Sequence, residues 1–292
     1  MTESPPLPVA VTGSLSPSRA ADFKTCPLLY RFRSIDHLPE SPSRVAARGT
    51  VVHAVLESLF DLPAAERSVS AARDLIPSAW QRVLDEEPIV AELFADDAHG
   101  TELADWLASA GELIENYFRL EDPRTLEPAA REERVEIIVD GLRLRGYVDR
   151  LDVSPAGDLR IVDYKTGTSP REAFEAKALF QMKFYALVLW RTRGVVPKQL
   201  RLMYLADTDT LTYAPDADEL DRFERTLRAI WAAIERATQT ADFRPSPSRL
   251  CEWCDFKAYC PAFGGTPPPF PTDAMQQIDL DHRGPVETES TP

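Results

Sequence analysis

The alternation of apolar and polar positions is clearest between residues 141 and 167, where it predicts two adjacent strands. The runs extend over 142–153 and 159–164, and a turn rich in Pro, Gly and Asp separates them. A third strand is expected over 134–139, because Asp140-Gly141 directly after it is a hairpin turn signal. The pattern therefore places three successive strands in the middle of the chain.

Apolar residues at helical spacing surround these strands. One helix is expected to begin with Ser16 as its N-cap and Pro17 at its first position. Further helices are predicted over 48–62, 63–131, 171–190 and 218–237, and two short strands over 200–205 and 211–213. The 63–131 segment is acidic and carries no motif, so we interpret it as a helical insertion that shapes access to a site.

Each strand of the central pair carries an acid near its end. Asp149 closes Gly-Tyr-Val-Asp, and Asp163 is followed two residues later by Lys165, whose side chain leaves the same strand face. Two carboxylates and an ammonium group are what metal-assisted phosphodiester cleavage needs. The carboxylates bind a divalent cation that polarises the phosphate and acidifies water, and the lysine stabilises charge. A surface ion pair is the alternative interpretation of Asp163 and Lys165.

Composition and charge change this picture in two ways. The 292 residues are 44% hydrophobic and 27% charged, which is typical of a globular protein, and the first 16 residues show no secretion signal. We therefore expect a cytoplasmic protein in a reducing compartment. The net charge of −14 opposes nucleic-acid binding, although eight of the acids lie between Asp85 and Asp105. The net charge does not forbid a local basic groove, because eight cations cluster around the proposed site, namely Arg143, Arg145, Arg150, Lys165, Lys177, Lys183, Arg191 and Arg193.

The four cysteines of the chain have the spacing of a metal centre. Cys251, Cys254 and Cys260 lie close together, and Cys26 precedes them by 225 residues. In a reducing compartment this arrangement indicates a thiolate-ligated metal rather than disulfides. Zinc and an iron–sulfur cluster both fit four thiolates, and the spacing leaves the two open.

Two further sets of polar residues lie on predicted helices. His53 is a candidate third metal ligand through a neutral imidazole nitrogen, although a single helical histidine is more often structural. Gln181 and Tyr185 are spaced i, i+4 on an apolar helix, so they share a face and must find partners. A substrate group or an internal hydrogen bond would satisfy them.

The order of these motifs resembles the RecB-type nucleases of the PD-(D/E)XK superfamily. The resemblance covers about residues 15–261 and rests on His53, Gly146-Tyr-Val-Asp149, Val162-Asp-Tyr-Lys165-Thr-Gly167 and Gln181-x-x-x-Tyr185. The arrangement of one cysteine before the core and three after it is similar to that of the iron–sulfur branch of this family. That branch includes AddB-type nuclease domains and CRISPR-associated exonucleases.

The resemblance implies an α/β restriction-endonuclease-like core with a central mixed sheet flanked by helices. It implies that His53, Asp149 and Asp163 bind Mg²⁺ or Mn²⁺, that Lys165 is catalytic, and that Gln181 and Tyr185 bind substrate. It favours a [4Fe–4S] cluster over zinc on Cys26, Cys251, Cys254 and Cys260. Asp149 departs from the superfamily pattern, because no proline precedes it. No Walker-type phosphate loop is present, so unwinding would require a separate helicase partner.

These expectations combine into a metal-dependent deoxyribonuclease, more an exonuclease on single-stranded ends than an endonuclease, acting in DNA repair or recombination. A non-catalytic DNA-end-binding scaffold and an RNA-processing nuclease are the alternatives. The predicted organisation is a disordered N-terminus over 1–14, a nuclease domain over 15–265 with the 63–131 insertion and a 251–260 cluster-binding segment, and a disordered Pro-rich acidic tail over 266–292.

Overall fold

A computed structural model describes residues 13–170 and 172–278, without the side chains of 172–177 and 276–277. Three expectations lie outside the described residues. They are the disorder predicted for 1–12 and for 279–292, and the contribution of the Lys177 side chain to a basic groove.

Six strands and nine α-helices form the described part of the chain. The strands are β1 Gly13–Leu15, β2 Ala130–Val139, β3 Leu142–Val153, β4 Leu159–Lys165, β5 Gln199–Tyr204 and β6 Asp209–Tyr213. The helices are α1 Pro17–Thr25, α2 Pro27–Ser34, α3 Arg44–Leu59, α4 Val69–Asp74, α5 Ile76–Glu86, α6 Thr101–Leu120, α7 Glu172–Arg193, α8 Ala217–Thr240 and α9 Ala274–Gln277. The Ser16 hydroxyl accepts a hydrogen bond from the Arg19 N–H, which confirms the predicted N-cap of α1.

The chain packs as two compact units. The larger contains 41–135 and 146–223, and the smaller contains the remaining described residues. In the larger unit β4 pairs in parallel with β5, while β3 with β4 and β5 with β6 are antiparallel. The predicted central mixed sheet flanked by helices is therefore confirmed. The division into two units differs from the single domain predicted over 15–265.

The 63–131 segment is part of the core of the larger unit. Helices α4, α5 and α6 pack with α3 and bury the apolar face of that helix, including Val52, Val55 and Leu59. The Trp106 indole N–H donates to the Arg44 carbonyl oxygen at 3.1 Å, which links α6 to the first turn of α3. The segment predicted as a helical insertion thus supports α3.

The smaller unit corrects two predictions of disorder. Residues 13 and 14 belong to β1, which pairs in parallel with Leu142–Leu144 of β3. A Cβ on Gly13 would lie 1.7 Å from the Trp231 ring, so the close contact requires glycine.

The second correction concerns the tail predicted to be disordered from residue 266. Up to residue 278 it packs back on α2, where the Arg31 guanidinium donates to the Pro268 carbonyl oxygen at 2.5 Å. Phe270 stacks on Phe243 with ring centroids 6.0 Å apart, and Ile278 is fully buried. Across the described residues, no helix combines the length and apolarity that a membrane span requires.

Candidate active site

The two candidate carboxylates lie where β3 and β4 stop pairing. The last paired residues are Arg150 and Val162. Beyond this pair, the Tyr164 N–H donates to the side-chain oxygen Oδ2 of Asp149 at 2.7 Å. Asp163 precedes Tyr164 and points to the other face of the strand, towards Asp149. The structure thus brings Asp149 and Asp163 together as the sequence predicts.

Lys165 is held between an acid and an amide. Its Nζ lies 2.5 Å from Asp163 Oδ2 and donates to Gln181 Oε1 at 2.9 Å. The Gln181 amide in turn donates to the Tyr185 hydroxyl at 3.0 Å, so the i, i+4 pair on α7 extends the lysine's contacts. Burial lowers the pKa of Lys165, but the carboxylates of Asp163 and Asp149 together outweigh this and raise it above its ordinary value. Lys165 is therefore an ammonium ion at neutral pH and suits charge stabilisation.

His53 is oriented by the strand that carries Asp163. Its Nε2 lies 2.9 Å from the Tyr164 carbonyl oxygen, and that contact assigns the proton of the neutral ring to Nε2. Nδ1 then faces two acids, 3.5 Å from Asp149 Oδ2 and 3.7 Å from Glu132 Oε1. A backbone carbonyl that fixes the tautomer in this way is the usual support of a metal-ligating histidine.

Glu132 is a residue of the site that the sequence analysis missed. It lies in β2, two residues before the predicted start of that strand, and its φ of 44° is in the left-handed region. Such a local distortion of a strand re-aims a side chain. Within the described residues, His53, Glu132 and Asp149 are the one set of three candidate ligands whose ligand atoms all lie within 4.8 Å of one another.

This set fits a divalent cation. One imidazole nitrogen and two carboxylate oxygens suit Mg²⁺ or Mn²⁺. Burial and the neighbouring Asp163 carboxylate raise the pKa of Asp149 to about 7, although His53 opposes the shift. Burial lowers the pKa of His53, but Asp149, Glu132 and Asp163 together raise it to about 9. A cation would relieve the repulsion between the acids.

We expect Glu132→Gly to stabilise the metal-free protein and weaken metal binding. Glycine removes the cost of a left-handed backbone, on the order of 1 kcal/mol, and also one of the repelling carboxylates. The half-saturating Mn²⁺ concentration for thermal stabilisation should rise about tenfold or more. The control is Glu133→Gly, because Glu133 does not have a positive φ and forms an ion pair with Arg193. This substitution should lower Tm. A Glu132→Gly protein with unchanged Mn²⁺ affinity would remove Glu132 from the metal site.

We expect Mn²⁺ to raise Tm more at about pH 8.5 than at about pH 6, because metal binding must displace protons. The pKa of His53 is raised from 6.5 to about 9, so the stability that its protonated form contributes is lost as pH rises towards 9. The pKa of Asp149 is raised from 3.8 to about 7, so its ionisation costs the folded state stability as pH rises through that interval. Both effects lower the metal-free Tm with rising pH, and the cation reverses both. A thermal shift independent of pH would contradict this.

The opposite face of the same strands holds a buried ion-pair network. Arg150 is fully buried and contacts the carboxylates of Glu121 and Asp152. Its guanidinium also donates to the Tyr164 hydroxyl at 2.8 Å, so it holds the residue whose backbone binds both His53 and Asp149.

A basic groove, which the sequence leaves possible, is not supported by the contacts of these cations. Arg150 and four other cations named for it contact acids of the protein, in the pairs Arg143–Glu136, Lys183–Glu219, Arg191–Asp221 and Arg193–Glu133. Arg145 is buried. Sequence spacing does not show which acid faces each cation, so the clustering of the cations in the sequence does not establish a groove.

The four cysteines meet in the smaller unit. They line one cavity together with apolar residues such as Leu28 and Phe32. Burial raises the pKa of Cys254, and the three other cysteines raise it further. The backbone N–H groups of Ser246 and Ser248 donate to the sulfur atoms of Cys26 and Cys251, both at 3.3 Å. The structure thus brings together the cysteines that the sequence separates by 225 residues.

Comparisons with known proteins agree with this geometry. The family model of the PD-(D/E)XK nuclease superfamily matches residues 14–261. The chain is 26% identical to the gene 69 protein of Mycobacterium phage D29 over 85% of its own length and 96% of that protein. It is 32% identical to the gene 69 protein of Mycobacterium phage L5, over 44% of the chain and 42% of that protein.

Two further likenesses are more distant. The chain is 26% identical to one subunit of the ATP-dependent helicase/deoxyribonuclease of Streptococcus agalactiae, over 40% of the chain and only 10% of that much longer protein. The crystal structure of a "Putative exonuclease" from Eubacterium rectale shares the fold with a TM-score of 0.55 at 12% identity, over 84% of this chain and 86% of that one. With the family model matching most of its length, the chain belongs to the PD-(D/E)XK nuclease superfamily.

Proposed function

We propose that the protein is a metal-dependent deoxyribonuclease that degrades DNA from single-stranded ends. The observation that carries this proposal is the placement of His53, Glu132 and Asp149 around one point beside the Asp163–Lys165 pair. A divalent cation bound there would neutralise phosphate charge and make water a better nucleophile.

Residues of the chain would bind the cation, stabilise charge and position the substrate. Asp149 and Asp163 present carboxylates from two strands, and both would hold the cation together with His53 and Glu132. The Lys165 ammonium would stabilise the charge that develops on a phosphate held at the carboxylates, and Gln181 restricts its rotation. Tyr185 accepts a hydrogen bond from Gln181 and keeps its own hydroxyl proton to donate to a substrate oxygen.

DNA as the substrate and a helicase as partner are supported by relatives. The Streptococcus agalactiae relative is named as part of a helicase/deoxyribonuclease, and the match covers a tenth of it. We infer that this chain supplies nuclease activity in DNA repair or recombination, and that a separate helicase provides single strands.

We further propose that Cys26, Cys251, Cys254 and Cys260 hold a [4Fe–4S] cluster. The four cysteines line one cavity, and backbone N–H groups directed at two of the sulfurs suit thiolate ligands of a metal centre. Zinc would fit the same four thiolates. The similarity of the cysteine order to the iron–sulfur branch is the reason for proposing the cluster.

The test is cleavage of end-labelled single-stranded DNA, double-stranded DNA and RNA, with Mn²⁺ and with chelator. We expect Mn²⁺-dependent shortening of single-stranded DNA from an end and slower cleavage of the other two. Tight DNA binding without cleavage would instead support the scaffold function, and preferential cleavage of RNA would support RNA processing. Either result would overturn the proposal.

A further inference from the structure

One aromatic side chain is exposed on the face of β3 that carries the active site. Residues two apart on a strand share a face, so Tyr147 lies on the same side as Asp149, about 6.6 Å along the strand. Tyr147 is 39% exposed, whereas Val148 between them is fully buried. The ring is therefore open to solvent next to a carboxylate of the site.

Tyr147 differs from the other tyrosines around the site. The hydroxyls of Tyr117, Tyr164 and Tyr185 each take part in a hydrogen bond, as is usual for tyrosine in a folded protein. Within 13–170 and 172–278, Tyr147 has neither a hydrogen-bond partner nor an aromatic ring or cation against its ring. It also lies past the end of the β3–β4 pairing at Arg150. In the described part of the fold, Tyr147 is therefore a partly exposed aromatic side chain without a polar or aromatic partner.

Substrate binding at this site needs a contribution other than charge. The acids at the metal-free site oppose an incoming phosphate, a cation there would neutralise only part of their charge, and the net charge of the chain is −14. The arginines and lysines named above as a basic groove are mostly paired with acids of the protein. Stacking of a nucleobase on an aromatic ring is independent of charge and tolerates every base.

We infer that Tyr147 stacks on the base of a nucleotide adjacent to the scissile phosphate of a single strand. This inference rests on the proposed nuclease function and adds to it a residue that positions the substrate. With the phosphate at the carboxylates, the base next to it reaches the ring. Duplex DNA keeps its bases stacked on each other, so Tyr147 contributes to a preference for single strands.

The experiment compares two single-stranded oligonucleotides of equal length in the presence of Mn²⁺, one with natural bases and one with abasic residues throughout. Wild type, Tyr147→Ala and Tyr147→Phe are assayed on both. Val153→Ala is the control, since Val153 is 41% exposed on the same face of the same strand, four residues beyond Asp149. Tm is measured for every variant.

We expect the abasic strand to lower kcat/KM of the wild type by about 5- to 150-fold, the range of one base–aromatic contact. Tyr147→Ala should lose a similar factor on the natural strand, mainly through KM, and nothing further on the abasic strand. Tyr147→Phe and Val153→Ala should match the wild type on both strands.

Two results would overturn the inference alone, with wild-type cleavage intact. They are an unchanged KM in Tyr147→Ala on the natural strand, and an equal loss on both strands. A wild type that cleaves neither strand overturns the proposed function and the stacking role with it.

Discussion

Asp149→Asn is expected to lower the rate of DNA cleavage by on the order of a thousandfold or more and to raise the Tm of the metal-free protein. The rate falls because the site loses the carboxylate that both faces His53 and lies beside Asp163, and a bound cation contributes several kcal/mol to the transition state. The Tm rises because the folded state holds the pKa of Asp149 at about 7, so its ionised form is disfavoured there. The asparagine oxygen can still accept the Tyr164 N–H.

The pH dependence of the Tm gain separates this explanation from a general change in packing. The gain should be complete above about pH 7 and should shrink as pH falls towards 3.8, where the unfolded carboxyl is also protonated. The control is Asp158→Asn, at the far end of the same hairpin, whose surface pair with Lys198 is 2.8 Å long. It should leave both cleavage and Tm nearly unchanged. If Asp149→Asn cuts DNA at the wild-type rate, the active site is assigned wrongly.

Cys26→Ser is expected to lose the metal centre and to lower Tm sharply. Cys26 lies 225 residues before Cys251, and a shared centre closes that length of chain into a loop. Loop-closure entropy gives a stabilisation of about 5 kcal/mol, which is comparable with the whole stability of many domains. Anaerobically purified wild-type protein should be brown and contain iron, and the variant should be pale and prone to aggregate. If the wild-type protein is colourless and contains stoichiometric zinc, the metal centre is zinc and not an iron–sulfur cluster, and zinc closes the same loop.

Gly265→Ala tests the same centre without removing a thiol. A Cβ at this position would lie 2.2 Å from the Ala258 carbonyl oxygen and 2.7 Å from the Cys260 backbone nitrogen, so the loop that presents Cys260 must move. We expect lower iron content and a lower Tm, in the same direction as Cys26→Ser. The control is Gly194→Ala, where no atom lies within 4 Å of the added Cβ, although its φ of 71° adds a modest backbone cost. A Cys26→Ser protein that keeps full metal content and the wild-type Tm would falsify the closure of the chain between Cys26 and Cys251 by a shared metal centre.

Much of the fold and site follows from local patterns. The sequence predicts strand β3 with its observed bounds, because alternation and a hairpin signal at Asp140-Gly141 mark it on both sides. Lys165 and Asp163 are predicted to share a face because strand geometry alone decides it. Gln181 and Tyr185 are predicted to share a face by helical spacing, and they do hydrogen-bond.

The parts that the sequence does not predict depend on contacts between distant segments. Glu132 reaches the site through a left-handed backbone at a non-glycine residue, and no residue type signals that conformation. An acid two residues before a predicted strand is the only available sign. Likewise the sequence places Arg150 among the cations near the site, whereas in the structure Arg150 is buried in an ion pair with Glu121. Arg150 and Glu121 are 29 residues apart in the sequence, so tertiary packing decides their contact and no periodic sequence pattern indicates it.

The smaller unit, built from segments at residues 13–40, 136–145 and 224–278, also determines the order in which the chain can fold during synthesis. Tyr30 packs on Phe243 and Phe32 on Phe256, so the partners of α2 are made roughly 210–225 residues after it. At a synthesis rate of about 5–20 residues per second, about 10–45 s pass between the synthesis of Tyr30 and Phe32 and that of their partners. The larger unit is complete at residue 223 and can fold within that interval. The first helices to be synthesised are therefore among the last to be buried, and a ribosome-bound chain should expose them to chaperones.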